Sequence, residues 1–437
     1  MKYHIITYGC QMNVSDSERI AKVLESIGFK KSLNQNEANL IILNLCSIRQ
    51  SAIDRARGKI KNLYSTTTTS TLNKGEENSK ILLTGCILKK DKINFKKYCD
   101  GIFKIEELPK LPILLEKIGF KIKKNDKTKI KHYLEIIPKY ESNISACVPI
   151  MNGCNNFCAY CVVPYVRGRE ISRPTKDILC EVKTLAQRGI KEIWLLGQNV
   201  NSYKPNFAKL LKNVNDVPGN FWIRFTSSHP KDLSDEMIKT FAKCKKVTPY
   251  FNLPIQSGDN KILEAMNRPY TVKKYKELIE KSRNAFKKYR DGIEKELALS
   301  TDVIVGFPCE SKKQFQNSKK TLKDINVAFA YISRYSPRHQ TTAFKLENDV
   351  SPAEKKQRER ELVKIVEKNS LKFNKKFLNK IVDVLILKKK NDFYIGKTRH
   401  YQSIRITANV NSHSLIGEFI KAKVIKATMY GLEGKIQ

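Results

Sequence analysis

The sequence predicts an α/β protein of three units. They are an N-terminal parallel α/β domain over residues 1–120, a partial (β/α)6 barrel over 145–370 reached through a linker at 121–144, and a small C-terminal antiparallel β-barrel over 371–437. Three observations carry this reading. Apolar runs alternate with helical patterns near the start, the same alternation resumes at Ser145 and continues to Pro337, and beyond Phe377 only short, closely spaced β-type runs remain. A chain of 437 residues is long enough for about three domains, each with its own core.

In the first unit, residues 3–8, 40–45 and 81–85 are short apolar runs that read as buried strands. A helical pattern over 17–27 lies between the first two, with Ile20, Val23, Leu24 and Ile27 at helical spacing and Gly28 as the stop. A second helix is expected over 48–64. Strands separated by helices make a parallel sheet with right-handed crossovers, so the carboxyl ends of the strands share one edge. Open α/β sheets take their ligands at that edge. The Ser/Thr-rich stretch 65–80 reads as an exposed loop, and the basic segment 121–131 opens the linker.

In the central unit, strands are expected at 146–150, 192–196, 221–226, 250–255, 299–305 and 329–335, with helices around 177–187, 234–242, 272–286 and 312–325. Six strand–helix units make an incomplete barrel whose mouth is lined by the loops after the strands. Those loops read Gly197-Gln198-Asn199, Ser227-Ser228-His229-Pro230, Gln256-Ser257-Gly258-Asp259 and Gly306-Phe307-Pro308-Cys309-Glu310, polar and glycine-bearing as suits a small polar ligand. The last unit has β-type runs at 381–386, 393–398, 403–406 and 418–424, which suggest a small barrel. Its Lys397, Arg399, Arg405, Lys421 and Lys423, set among aromatics, suit contact with an RNA backbone.

Composition narrows the partners. The net charge of +39, from 82 Lys and Arg against 43 Asp and Glu, favours a polyanion such as nucleic acid, although its even spread locates no contact surface. No apolar run approaches the roughly twenty residues that cross a bilayer, so a soluble, cytoplasmic protein without a membrane partner is expected. Eleven cysteines, an odd number, with no signal-peptide pattern, argue for a reducing compartment rather than disulfides.

The cysteines carry the chemistry. Cys154, Cys158 and Cys161 stand in Met151-Asn152-Gly153-Cys154-Asn155-Asn156-Phe157-Cys158-Ala159-Tyr160-Cys161. Three thiolates on one short loop can grip three corners of an iron–sulfur cube and leave the fourth iron open to another ligand. A zinc knuckle would want four ligands, and no histidine lies near this loop. Cys10, Cys46 and Cys86 each follow one of the three N-terminal strand runs, so they converge on one sheet edge as a second three-thiolate site. Cys99, Cys147, Cys180, Cys244 and Cys309 read as small buried hydrophobes, Cys180 because it stands among Ile178, Leu179, Val182 and Leu185 on a helix.

The C-x3-C-x2-C loop, with the aromatic Tyr160 before its last cysteine, resembles the radical S-adenosylmethionine (SAM) enzymes. The order of three units extends the likeness over almost the whole chain to the methylthiotransferase family, with its N-terminal cluster-binding domain, radical SAM barrel and C-terminal TRAM barrel. The branch acting on isopentenylated adenosine is the most similar. The likeness rests on Tyr8-Gly9-Cys10-Gln11-Met12-Asn13-Val14-Ser15-Asp16-Ser17-Glu18, Leu43-Asn44-Leu45-Cys46-Ser47-Ile48-Arg49 and Cys161-Val162-Val163-Pro164-Tyr165-Val166-Arg167-Gly168-Arg169-Glu170, with Leu253-Pro254-Ile255-Gln256-Ser257-Gly258 and Thr301-Asp302-Val303-Ile304-Val305-Gly306-Phe307-Pro308 in support. The chain departs from the family pattern at Leu45, where threonine is expected, at Cys309, where glycine is usual, and over Lys397-Thr398-Arg399-His400-Tyr401; none of these removes a cluster ligand.

The resemblance implies two 4Fe-4S clusters, a SAM-cleaving one on Cys154, Cys158 and Cys161 and an auxiliary one on Cys10, Cys46 and Cys86 that carries or donates sulfur. It makes SAM the cofactor, with Tyr160, Gln198, Asn199, Gln256 and Gly306 as candidate contacts. One SAM methylates a sulfur species, and a second yields the radical that starts replacement of the C2 hydrogen of N6-dimethylallyladenosine at position 37 of tRNA. The implied partners are tRNA, through that anticodon-loop adenosine, an external electron donor and a sulfur donor, and the protein is expected to be a monomer. Related methylthiotransferases act on threonylcarbamoyladenosine in tRNA or on a ribosomal-protein aspartate; the contexts of Gln11-Met12-Asn13 and Cys46-Ser47-Ile48-Arg49 favour the isopentenyl substrate. A non-catalytic RNA-binding protein with structural metal is the alternative from another class.

Overall fold

The structure, a computed structural model, describes residues 1–46, 50–69, 79–122, 132–407 and 414–437. Its N-terminal part is a five-stranded parallel sheet in the order Lys30–Lys31, Lys2–Tyr8, Leu40–Cys46, Lys80–Cys86 and Gly101–Ile102. Leu40–Cys46 is apolar apart from Asn44 because both faces are covered. Leu40 and Ile42 pack with Ile20 and Leu24 of the helix Gln11–Ser26, and Ile41 and Leu43 with Ile53 and Ile60 of the helix Gln50–Thr69.

Two element boundaries differ from the sequence expectation. The first helix begins at Gln11 rather than at residue 17, because its polar first turns are buried with partners instead of solvated. Asn13 donates to Asn44 Oδ1 (2.9 Å) and to the Leu45 carbonyl (3.3 Å), and Ser15 donates to the Cys147 carbonyl (3.2 Å). The second helix runs on to Thr69, into the stretch expected to be a loop; the Ser65 hydroxyl bonds back to the carbonyls of Lys61 and Asn62 and so is satisfied on the helix. Residues 70–78 of that expected loop, residues 123–131 of the basic segment and the motif positions Ser47, Ile48 and Arg49 lie outside the described residues. Past them, Tyr133, Leu134 and Ile136 are buried in the N-terminal core and Tyr140 in the next one, where its hydroxyl donates to Glu181.

The central unit has six parallel strands in chain order. Ser145–Pro149, Glu192–Leu196 and Trp222–Phe225 form one sheet; Tyr250–Asn252, Ala298–Val305 and Phe329–Arg334 form the other. A parallel bridge from Ile223 to Val247 links them into one curved wall. Besides the short helices Val163–Val166 and Asn260–Ala265, two longer ones escaped the sequence reading. Phe207–Asp216 places Phe207, Leu210, Leu211 and Val214 in the core at helical spacing, capped by Asn206, but it follows a run rich in asparagine and lysine. Pro352–Lys375 is capped by Ser351, and its dense Lys and Glu content hides a thin apolar stripe of Leu362, Ile365 and Phe373. Among the described residues no helix is long and apolar enough to cross a membrane.

The C-terminal unit is a closed barrel of Ile381–Lys390, Phe393–Thr398, Ser403–Thr407, Leu432–Ile436 and Phe419–Ala427. Its pairs are antiparallel except Ser403–Thr407 with Leu432–Ile436, which run parallel, and the strand Leu432–Ile436 was not anticipated. Its core is continuous with Trp194, Leu196, Tyr250 and Ala298 of the central unit. Two of its five expected RNA contacts serve this packing instead. Lys397 folds over the Tyr401 ring and bonds to Ser403 (3.0 Å), and Arg399 pairs with Glu294 (2.6 Å); Arg405, Lys421 and Lys423 remain exposed.

One buried side chain joins the two barrels. Arg224, 1% exposed, pairs with Glu192 (2.5 Å) and donates to the carbonyls of Thr398 and Arg399 (both 2.9 Å). Glu192 also accepts from Trp194 and Ser145. Removing Arg224 strands this carboxylate, so Arg224→Met is expected to destabilise the protein by about 3–5 kcal/mol, the usual cost of breaking a buried pair from one side. Chemical denaturation measures it; a loss below about 1 kcal/mol, the value of a surface pair, contradicts the role.

Candidate active site

The cysteine loop lies at the carboxyl end of the first barrel strand. Gly153 has φ 79° at a point where a Cβ would overlap the Arg169 carbonyl, so the turn requires glycine. Phe157, also at positive φ (47°), carries the Arg169 guanidinium 4.5 Å above its ring. The Ala159 N–H donates to the Met266 carbonyl (2.9 Å), and Asn267 donates to the carbonyls of Asn156 and Phe157. Cys154 and Cys158 are buried by this folding and Cys161 is half-buried. The buried Arg268 reaches Cys158 Sγ (3.6 Å) while bonding to Tyr270 and the Pro254 carbonyl.

The other triad assembles at the sheet edge. Cys46 and Cys86 stand side by side, in register at the ends of adjacent parallel strands, and Cys10 caps the helix that follows the first strand. Gly85 adopts φ 102° with no room for a side chain against Leu45. Arg167, just beyond the barrel's cysteine loop, crosses to this edge: its Nε–H donates to Cys86 Sγ (3.0 Å) and its Nη2 pairs with Asp16 (2.6 Å).

Burial raises the Cys10 and Cys154 thiols above their usual range and pushes Cys161 up to about 12. A hydrogen bond with Cys46, then burial, raises Cys86. These thiols are therefore protonated until a cation displaces the proton. Among the described residues no three Cys, His, Asp or Glu side chains close on a point that one metal ion would occupy. A cube takes its thiolates at separate corners, and two triads of thiols, ranging from buried Cys86, Cys154 and Cys158 to exposed Cys10, fit it by donor type and number.

One cavity of about 700 Å³ is lined by Cys154, Cys158 and Cys161 and by Cys10 of the other triad, with Cys46 and Cys86 set behind Cys10. Of the sequence-derived ligand contacts, Tyr160, Gln198 and Gln256 line it. Asn199 and Gly306 do not: Asn199 holds Asp232 (2.7 Å), and Gly306 donates to Glu310 (2.7 Å) against the stem of Lys355. The lining also includes residues without an expected ligand role, namely Asn252, Arg268 and Asp302, and the aromatics Trp194, Tyr250, Tyr331 and Tyr401. Tyr401 comes from the C-terminal barrel, held at φ 67° with its ring against those of Trp194 and Tyr250. Buried atoms of Gln198 (Oε1), Ser228 (Oγ) and His229 (Nε2) have no protein partner and belong to cavity-lining residues, as expected of a site for a polar ligand.

Two cysteines correct the sequence reading. Cys180 is exposed, because it lies two positions from both Ile178 and Val182 and so faces away from the buried side of its helix. Cys309 is exposed at φ 64°, the left-handed conformation that glycine takes more readily.

The fold and cysteine loop are those of a radical SAM enzyme: residues 148–322 match the Radical SAM superfamily, and residues 2–103 match the Uncharacterized protein family UPF0004. The fold is shared with the radical S-adenosylmethionine methyltransferase TsrM from Kitasatospora setae (TM-score 0.55, 12% identity, 76% of this chain and 72% of that one). Two full-length relatives carry the name tRNA-2-methylthio-N(6)-dimethylallyladenosine synthase. The one from Carboxydothermus hydrogenoformans is 37% identical over 452 residues (99% of this chain, 98% of the relative), and the one from Caldicellulosiruptor saccharolyticus is 38% identical over 454 residues (99% and 92%). The chain belongs to the tRNA-2-methylthio-N(6)-dimethylallyladenosine synthase family.

His229 yields a pH test. Its Nδ1 accepts from the Lys231 N–H (3.2 Å), and burial, with Arg268 and Lys231 nearby, lowers its pKa from 6.5 to about 2. Below pH 6.5 the unfolded chain takes up a proton that the folded protein refuses. The stabilisation is therefore complete above that pH and declines by about 1.4 kcal/mol per unit as pH falls toward 2. His229→Gln is expected to flatten the stability profile between about pH 6 and 4, measured by denaturant unfolding; an unchanged slope contradicts the assignment.

Proposed function

We propose that this protein adds a methylthio group to C2 of N6-dimethylallyladenosine in tRNA, with one 4Fe-4S cluster on Cys154, Cys158 and Cys161, a second on Cys10, Cys46 and Cys86, and SAM as cofactor. The observation that carries this reading is the single cavity faced by cysteines of both triads. When bound, the clusters and SAM supply one-electron chemistry and sulfur, which a C–H bond inert to acids and bases requires.

The chain's own residues bind and orient. Gln198, Ser228 and His229 offer unpaired polar atoms to a polar ligand beside Cys154, Cys158 and Cys161. Across the cavity, Trp194, Tyr250, Tyr331 and Tyr401 present a wall on which a planar base can stack, an interaction worth about 1–3 kcal/mol per base. The volume of about 700 Å³ is that of a small-molecule site. The charge of +39 supports a polyanionic substrate.

Two triple variants test the division of labour. Replacing Cys154, Cys158 and Cys161 with alanine is expected to remove about half the iron, as for one of two similar clusters, and all cleavage of SAM to 5'-deoxyadenosine. Replacing Cys10, Cys46 and Cys86 is expected to preserve that cleavage and abolish methylthiolation, read by mass spectrometry of tRNA nucleosides. Methylthio product from the second variant would sink the reading.

A further inference from the structure

We infer that Arg167 sets the reduction potential of the cluster on Cys10, Cys46 and Cys86; the inference rests on the reading that those thiols hold one. Arg167 is 4% exposed and each arm of its guanidinium is engaged. Nη2 pairs with Asp16 (2.6 Å), Nη1 donates to Asn152 Oδ1 (3.1 Å), and Nε donates to Cys86 Sγ (3.0 Å). The Asp16 pair already joins the two domains and the Asn152 contact lies within the barrel unit, so the bond to sulfur is a second, separate contact across the seam. It places a permanent positive charge and an N–H donor on the thiol that stands beside Cys46 and within electrostatic reach of Cys10.

Hydrogen bonds to ligand sulfur and nearby positive charge stabilise the more electron-rich state of an iron–sulfur cluster, which raises its potential. Without Arg167, Cys86 loses its donor and the buried carboxylate of Asp16 loses its partner, and both changes disfavour the added electron. The other triad has a weaker counterpart in Arg268, whose contact with Cys158 is longer, at 3.6 Å. Arg167 acts through Cys86 and is a positioning residue.

The test uses the full chain with Cys154, Cys158 and Cys161 replaced by alanine, so that one cluster remains, titrated anaerobically with an external one-electron reductant under electron paramagnetic resonance. Iron in this parent is the check on the underlying reading, and its absence would overturn that reading independently of Arg167. Adding Arg167→Gln or Arg167→Lys is expected to keep the iron and shift the midpoint to more negative potential, further for glutamine, which lacks the charge, than for lysine, which lacks the Nε donor. If only the glutamine variant loses iron, the lysine midpoint decides. An unchanged midpoint in an iron-retaining variant, or loss of iron from both, would overturn the inference.

Discussion

The buried ion pair between Arg167 and Asp16 is the constraint on which the site depends. Asp16 lies on the helix that starts at Cys10, and Arg167 follows the loop of Cys154, Cys158 and Cys161 by a few residues. One contact thus fixes the N-terminal sheet edge against the barrel mouth and brings Cys10 to the cavity lined by Cys154, Cys158 and Cys161. Neither charge tolerates burial alone, so the pair favours the docked arrangement of the two domains. Ser15, which donates to the carbonyl of Cys147 on the first barrel strand, extends the same seam.

A second lock works from the opposite side. Arg224 engages the backbone at Thr398 and Arg399, the chain turns, and Tyr401 arrives in the cavity beside Trp194 and Tyr250. The C-terminal barrel therefore supplies part of the cavity wall. This changes the meaning of its basic residues: Lys397 and Arg399 are spent on internal contacts, while Arg405, Lys421 and Lys423 stay available to a polyanion.

Much of this was legible in the sequence because it depends on local rules. The six cysteines could be placed from a dense motif and three repeated strand ends, and the layer order from apolar periodicity. What was not legible depended on long-range pairing of polar groups. Asn13, Ser15 and Asp16 look like a solvated turn until Asn44, Cys147 and Arg167 are beside them. Tyr401 sits in a stretch that looks merely divergent, and its role exists only because Arg224, far off in sequence, captures the neighbouring carbonyls. Asn199 and Gly306 were reasonable as ligand contacts on loop position, yet the structure gives Asn199 the task of holding Asp232 and Gly306 that of bonding to Glu310.

Cys10 lines the same cavity as Cys154, Cys158 and Cys161, which would bring clusters on the two triads close enough to couple magnetically. Electron paramagnetic resonance of the wild-type protein, reconstituted and reduced so that both clusters are paramagnetic, tests it most directly. Mutual broadening or splitting of the two signals, lost when either triad is replaced by alanine, is expected. A spectrum equal to the sum of the two single-cluster spectra would contradict it.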